Sequence, residues 1–308
     1  MTGAGLPDGA DAVVMVEYTR RDGEHVVVER SVTSGENVVP IGSEARAGQL
    51  LVETGRRVDH AVIALAASVG AAEVAVFRRP RVAILATGDE LVAISSKPGP
   101  AQIRNSNSYS LAAQVARTGA EPVVLEVAQD ERRSLERLVG EGMQADMLLL
   151  SGGVSMGKYD LVEQVLRDFG AEFFFTGVKI QPGKPLVFGR LPRGDQAVYF
   201  FGLPGNPVST MVTFELFVDP VVRALGGEQM QPLRFLRAKL KSAIRTKTGL
   251  TRFLPARLSG SLADTEVELA RWQGSGDIAA VTLAECFIVV PPDREEIRAG
   301  ECVPVLMK

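Results

Sequence analysis

Cysteine is almost absent: the 308 residues hold two, Cys286 and Cys302. That excludes a disulfide-framed fold and makes a reducing cytoplasmic location the expectation. Histidine is equally scarce, with only His25 and His60, and no His/Cys cluster has the spacing of a zinc site. Excess charge of one sign is also missing. A formal net charge of −3 gives no electrostatic reason to expect nucleic acid or an anionic membrane as partner. The longest apolar stretch, AVIALAASVGAAEVAVF, is broken by Gly70 and Glu73 and is too short to cross a bilayer. No charged segment followed by an apolar core opens the chain, so no signal peptide is read. The opening MTGAGLPDGADAVV reads instead as a turn running into a strand, and the expectation is that an N-terminal portion is lacking. Repeats and low-complexity tracts are absent.

What is present is an ordinary globular balance, 46% apolar and 23% charged, with length for two or three domains. Residues 1–76 mix short β-rich runs (AVVMVEY, HVVVERSV) with glycine turns at 35, 42, 48 and 55 and an Ala-rich helix near 58–69. Residues 77–226 alternate strand and helix: VAILA, a helix ending at Gly119, VVLEVA, a second helix, MLLL, a third, two more strands, and one long helix PVSTMVTFELFVDPVVRAL. That alternation predicts a doubly wound, mostly parallel α/β sheet. Residues 227–308 lack long helical periodicity and predict a small β-barrel or sandwich.

In such sheets ligands bind beyond the carboxyl ends of the strands. There the sequence places Thr87-Gly88-Asp89-Glu90, Asp130, Ser151-Gly152-Gly153 with Ser155 and Asp160 behind, and Pro204-Gly205-Asn206-Pro207. Each admits a plain structural reading. Glycines make turns, Asp130 can cap a helix, Glu90 can be a solvated carboxylate, and Pro207 can set a helix start. Together with the basic loop Gln181-Pro182-Gly183-Lys184-Pro185 they read better as one site. Glycine backbones and a helix start cradle phosphate, Lys184 supplies a point charge, and the carboxylates can hold Mg²⁺. SGGVSMGKYD has P-loop spacing at Gly152, Gly157 and Lys158. However, Tyr159 stands where a Walker motif needs Ser or Thr, which argues against a P-loop ATPase.

The ordered set MTGAGLPDGADAVV, GENVVPIGSEARAGQLL, VAILATGDEL, IRNSNSYSL, SGGVSMGKYD, QPGKPLVFG, FGLPGNPVST and QGSGDIAAVTLAECFIVV resembles the MoeA-type molybdopterin molybdotransferases, relatives of the catalytic end of gephyrin. The resemblance runs through nearly the whole chain. It implies Mg²⁺-assisted insertion of molybdate into adenylylated molybdopterin with release of AMP. It further implies a homodimer, with a molybdopterin adenylyltransferase and molybdoenzymes as partners. By the same resemblance Thr2, Glu90, Asp130, Asp160 and Lys184 are catalytic. Ser151, Gly152, Gly153, Ser155, Gly183, Pro204, Gly205 and Pro207 bind substrate. Arg252 and Ser275 reach a neighbouring subunit's site, and Glu44 joins Glu90, Asp130 and Asp160 as a metal carboxylate.

Three departures stand out. Gln181 replaces a basic residue, with Lys179 two positions earlier as the substitute charge. Glu44 replaces a shorter acid. The family's N-terminal segment, with a further aspartate, is not represented. The competing readings are a catalytically silent dimeric scaffold of the same fold and molybdopterin adenylyltransferase, which resembles only the middle region.

Overall fold

The computed structural model describes residues 3–153, 161–261 and 264–308. They fall into two compact units divided after Arg56. In the first unit the Val-rich runs yield only a hairpin. Strand β1 (Thr19–Asp22) pairs antiparallel with β2 (His25–Val28), and Gly23 turns between them at φ +62°. AVVMVEY is not a strand: it ends in a 3₁₀ turn at Val16–Tyr18. Its extended start is held by the Val13 N–H on Glu36 O at 3.0 Å and by Asn37 Nδ2 on Val13 O at 2.8 Å. Gly35, Gly42, Gly48 and Gly55 do turn with positive φ, but no strands lie between them. The β-rich expectation therefore overshoots here. Val16, Val39 and Ile41 stay exposed, and an alternating run becomes a stable strand only when a partner surface covers one of its faces.

The second unit opens with α1 (His60–Ser68), capped by the Asp59 carboxylate on the N–H groups of Ala61 and Val62. Next come β3 (Arg81–Ala86), the short parallel pair β4 (Leu91–Val92) and β5 (Ile103–Arg104), and α2 (Asn107–Thr118). Then follow β6 (Glu121–Val124), α3 (Arg132–Gly142), β7 (Met147–Ser151), α4 (Leu161–Asp168), β8 (Glu172–Phe175) and β9 (Ile180–Gln181). The hairpin β10 (Val187–Arg193) and β11 (Gln196–Leu203) completes a six-stranded sheet of order β6-β3-β7-β11-β10-β8. Neighbours from β6 to β11 are parallel, whereas β10 runs antiparallel to both β11 and β8.

Two-residue periodicity builds a core on each face. Ala83, Leu85, Leu148, Leu150 and Phe200 meet α3 and α4 through Leu135, Leu138, Val162 and Val165. Val82, Ile84, Met147, Leu149 and Phe201 meet α2 through Leu111 and Val115, together with Phe214 and Val218. This is the doubly wound arrangement that the sequence predicts. The long final helix is interrupted: α5 (Pro207–Thr213) passes into a π turn at Phe214–Val218 and then α6 (Asp219–Leu225). Pro220 cannot donate and its ring would collide with the carbonyl four residues back. The wider turn, with the Asp219 N–H on Phe214 O, relieves that collision.

At the other end of the sheet, Asp146 ties the start of β3 to the loop before β7. Its carboxylate accepts Arg78 Nη1 at 2.7 Å, Arg78 Nη2 at 2.5 Å and the Arg81 N–H at 2.8 Å. The Arg78 hydrogen bond, helped by the Arg81 amide, holds this carboxyl below the usual range against partial burial. A depressed folded pKa adds stability that is complete above the unfolded value, about 3.9, and is lost as pH falls through the folded one. Urea midpoints of wild type and Asp146→Asn should therefore differ at neutral pH and converge below about pH 4.

Beyond the sheet lie β12 (Phe235–Leu240), the short antiparallel partners β13 (Ile244–Arg245) and β17 (Glu296–Ile297), β14 (Thr251–Gly260), β15 (Thr265–Leu269), α7 (Ile278–Leu283), β16 (Cys286–Val290) and β18 (Cys302–Met307). The order β15-β12-β18-β16-β14, with β14 returning to β15, closes a five-stranded barrel. Its core includes Cys286, whose thiol burial pushes up to about 11, so that it is inert packing. Strand β9 adds to the barrel by pairing parallel with β14 at Gln181 and Arg252.

Candidate active site

The carboxyl ends of β3, β6, β7 and β11 are stitched to one another by their own backbones. The Thr87 N–H donates to Ser151 O at 3.0 Å, Gly88 to Ala128 O at 3.2 Å and Gly152 to Leu203 O at 3.3 Å. This packing fixes the residue types. Gly152 has φ +90°, and a Cβ there would lie 2.6 Å from Thr87 O. Gly153 has φ +63°, and its Cβ would meet Thr87 Oγ1 at 2.6 Å and Val162 at 2.8 Å. Gly205 approaches Gly152 closely enough that its Cβ would be 3.7 Å from that Cα. The result is a bare backbone ledge shared by the Ser-Gly-Gly and Leu-Pro-Gly-Asn-Pro loops.

Buried polar groups line the ledge. Asn107, at the start of α2, donates from Nδ2 to Ser151 Oγ at 2.9 Å and to Gly205 O at 2.7 Å. Its Oδ1 and Thr87 Oγ1 are buried with no hydrogen-bond partner among the described residues. Asn105 and Ser108 close the turn before α2, with Asn105 Nδ2 on Ser108 Oγ at 2.9 Å. The sequence puts Thr87 at a strand end and Asn107 within IRNSNSYSL but assigns neither a role of its own. The signal was the Asn-Ser-Asn triplet, more polar than a helix start requires when the helix faces a sheet edge.

The acids gather on the flank beyond β3 and β6. A Cβ on Gly88 (φ +139°) would sit 2.5 Å from Glu90 Oε2, so Glu90 folds its carboxylate back over that glycine. The Asp130 N–H donates to Asp89 Oδ1 at 3.0 Å. Partial burial raises the Asp130 pKa, and the neighbouring charges of Asp89 and Glu90 raise it further. Asp89→Asn keeps the acceptor for that amide and removes a charge. The Asp130 carboxyl should then titrate closer to the ordinary range, as measured by carbon-detected NMR. An unchanged titration would mean that burial alone sets it. Among the described residues no group of three or more His, Cys, Asp or Glu is disposed to hold a metal.

The remaining expected residues divide. Pro204 is buried with its carbonyl accepting Thr210 Oγ1 at 2.6 Å, and Pro207 begins α5. Ser275 O accepts the Val208 N–H at 3.0 Å, which brings the Gly-Ser-Gly loop before α7 onto the first turn of α5 in the same chain, next to the Pro204–Pro207 segment. Gly183 (φ +109°) packs on Thr213, and Lys184 has an exposed side chain. Arg252 Nη1 donates to Gln181 Oε1, so the barrel places a guanidinium where the loop lacks its basic residue. Lys179 lies just outside β9 with its side chain exposed, its carbonyl accepting the Thr251 N–H. Glu44 is exposed in the first unit. Thr2, Ser155 and Asp160 lie outside the described residues.

A cavity of about 300 Å³ lies elsewhere, between α2, the π turn and α7, lined by Gln114, Arg117, Met211, Glu215, Ile278 and Val281 among others. Among the described residues no helix is long and apolar enough to cross a membrane.

Three family models match in succession: "MoeA N-terminal region (domain I and II)" over residues 1–70, "Probable molybdopterin binding domain" over 83–224, and "MoeA C-terminal region (domain IV)" over 237–308. The molybdopterin molybdenumtransferase of Staphylococcus aureus (strain MRSA252) is 31% identical over 308 residues, covering 100% of this chain and 73% of that protein. That of Bacillus subtilis is 34% identical over 315 residues, covering 100% and 72%. That of a Nostoc species is 41% identical over 227 residues, covering 73% of this chain and 52% of its own length, so that match spans about half of the relative. A crystal structure of a molybdopterin biosynthesis MoeA protein from Pyrococcus horikoshii superposes with a TM-score of 0.74 at 31% identity, covering 98% of this chain and 73% of that one.

Proposed function

The chain belongs to the MoeA family of molybdopterin molybdenumtransferases, and on that premise we propose that it transfers molybdate into the dithiolene of adenylylated molybdopterin and releases AMP. The observation that carries the reading is the ledge at Gly152, Gly153 and Gly205. A Cβ would fill the backbone at Gly152 and Gly153, and the buried Thr87 Oγ1 and Asn107 Oδ1 beside it lack partners among the described residues. Such a surface suits a ligand that carries both an anionic group and polar hydrogens. Backbone approaches closely, the Thr87 hydroxyl can donate, and the start of α2 adds positive potential. Asn107 Oδ1, which can only accept, suits an N–H or O–H of the ligand.

The reacting sulfurs and oxyanion belong to the substrates, so this chain's part is to bind and orient them. Ser151, Gly152, Gly153, Gly205 and the Pro204–Pro207 turn hold the pterin side. Lys184, Gly183, Arg252 and Ser275 are the polar groups offered by the basic loop and the barrel. Thr2, Ser155 and Asp160 complete the set by resemblance. Glu90 and Asp130, joined by Asp160 on the resemblance alone, would hold Mg²⁺, which would screen the substrate's pyrophosphate; Glu44 is a metal carboxylate by the resemblance only. The residues fit that ion in its usual mode, in which one or two carboxylates share it with phosphate oxygens. The Asp130 pKa is raised first by partial burial and then by the charges of Asp89 and Glu90, and a cation would offset the repulsive part. The same reading assigns a homodimer in the cytoplasm, supplied by a molybdopterin adenylyltransferase and delivering to molybdoenzymes.

The test is incubation of the purified protein with adenylylated molybdopterin, molybdate and Mg²⁺. AMP and active cofactor should appear together. A protein that binds the pterin yet yields neither would be a scaffold of this fold, and the proposal would fail.

A further inference from the structure

The hydrogen bonds of Asn107 do more than start a helix. Gly205 O can only accept, so the group facing it must be the amide nitrogen, and the same nitrogen reaches Ser151 Oγ. Ser151 Oγ is thereby occupied as an acceptor. Its own O–H has no acceptor among the described residues and is left to donate. One side chain on α2 therefore joins the loop after β7 to the loop after β11 and decides which way a hydroxyl points. Local backbone bonds do not do this work: Gly152 is tied to Leu203 one residue before the Pro204 turn, and Gly205 stands beyond that turn, exposed and held here by Asn107.

We infer that Asn107 is a positioning residue for ligand binding: it locks the Ser-Gly-Gly loop to the Pro-Gly-Asn-Pro loop and aims the Ser151 hydroxyl as a donor at the ligand's anionic group. The inference rests on reading this edge as the pterin site. Its distinctive consequence is that Asn107 and Ser151 act as one unit. Loss of either removes the same aimed donor, so their effects must not multiply.

The experiment uses the full chain with Asn107→Ala, Ser151→Ala and the double variant. Molybdopterin binding is followed by equilibrium titration, and KM and kcat for adenylylated molybdopterin are measured separately. Each single variant should weaken molybdopterin binding by about ten- to a hundredfold, the range for a hydrogen bond to a charged group. KM should rise with kcat within about twofold, and the double variant should be no worse than the poorer single. Without ligand, Asn107→Ala should also speed amide exchange at Gly152 and Gly205, which a substitution confined to substrate contact would not do. Asn107→Asp has the same shape but cannot donate when ionised. It should reproduce the loosening, and it carries the test if the alanine variant does not fold.

Wild-type affinity and wild-type exchange in either Asn107 variant would overturn the inference, as would singles that multiply independently. Failure of the wild-type protein itself to bind molybdopterin would instead overturn the reading of the edge. Exchange at Gly152 and Gly205 would still decide whether Asn107 locks the loops.

Discussion

Gly152→Ala should abolish most of the activity while leaving the sheet in place. The new methyl would sit 2.6 Å from Thr87 O, a backbone atom that cannot rotate away, at a φ of +90° that a side chain resists. Strain of about 1–3 kcal/mol is expected from the backbone conformation, and a further 1–3 or so from the overlap. The loop can shed that strain only by moving off β3, which displaces Ser151 and opens the ledge toward Gly205. A shift of about 1 Å in groups that position a reactant costs on the order of a hundredfold in rate. The measurement is kcat/KM for adenylylated molybdopterin beside far-ultraviolet circular dichroism. A drop of about a hundredfold with an unchanged spectrum is expected. Near-wild-type turnover would show that the ledge is not where substrate sits.

The largest expected loss of stability comes from Phe200→Ala. Phe200 is fully buried on the α3/α4 side of the sheet and meets Phe173 edge to face, with ring centroids 5.4 Å apart. Across the hairpin it faces Gly189, where a Cβ would collide with the Glu172 carbonyl oxygen and come within 2.6 Å of the Phe200 ring, so the glycine admits both the neighbouring strand and the aromatic. Nothing nearby can collapse into the space, because the helices above it are pinned by Leu135, Leu138 and Val165. A cost of about 3–5 kcal/mol follows, a large part of the stability of an ordinary domain. Urea denaturation at neutral pH would read it as a lowered midpoint with an unchanged slope. A cost below about 1 kcal/mol would mean that the site repacks.

The middle of the chain was legible because its signals are local. Runs such as VAILA and MLLL have one available reading once both faces are covered, and glycines directly after strands announce backbone that must approach something. The first unit was less legible for the complementary reason: alternation in AVVMVEY states a preference for a covered face but not whether one exists. Pro220 was visible, yet its consequence was missed, because a proline inside an apolar helical pattern can end the helix, kink it or widen one turn. Asn107 was hidden by its ordinariness at a helix start. Its importance comes from Gly205, 98 positions away in sequence. The approach of Ser275 to Val208 and of Arg252 to Gln181 is equally non-local, and only the resemblance singled out Arg252 and Ser275.

Strand β9 leaves the α/β segment and completes an edge of the barrel beside β14. The barrel is therefore not a detachable cassette, whatever its closed outline suggests. A chimera joined at the Gly-Gly-Glu-Gln stretch after α6 would carry a foreign β14 against a native β9, with Arg252 and Gln181 no longer matched. Exchange between relatives should succeed only when residues 178–185 travel with the barrel, and drift in either segment is constrained by the other.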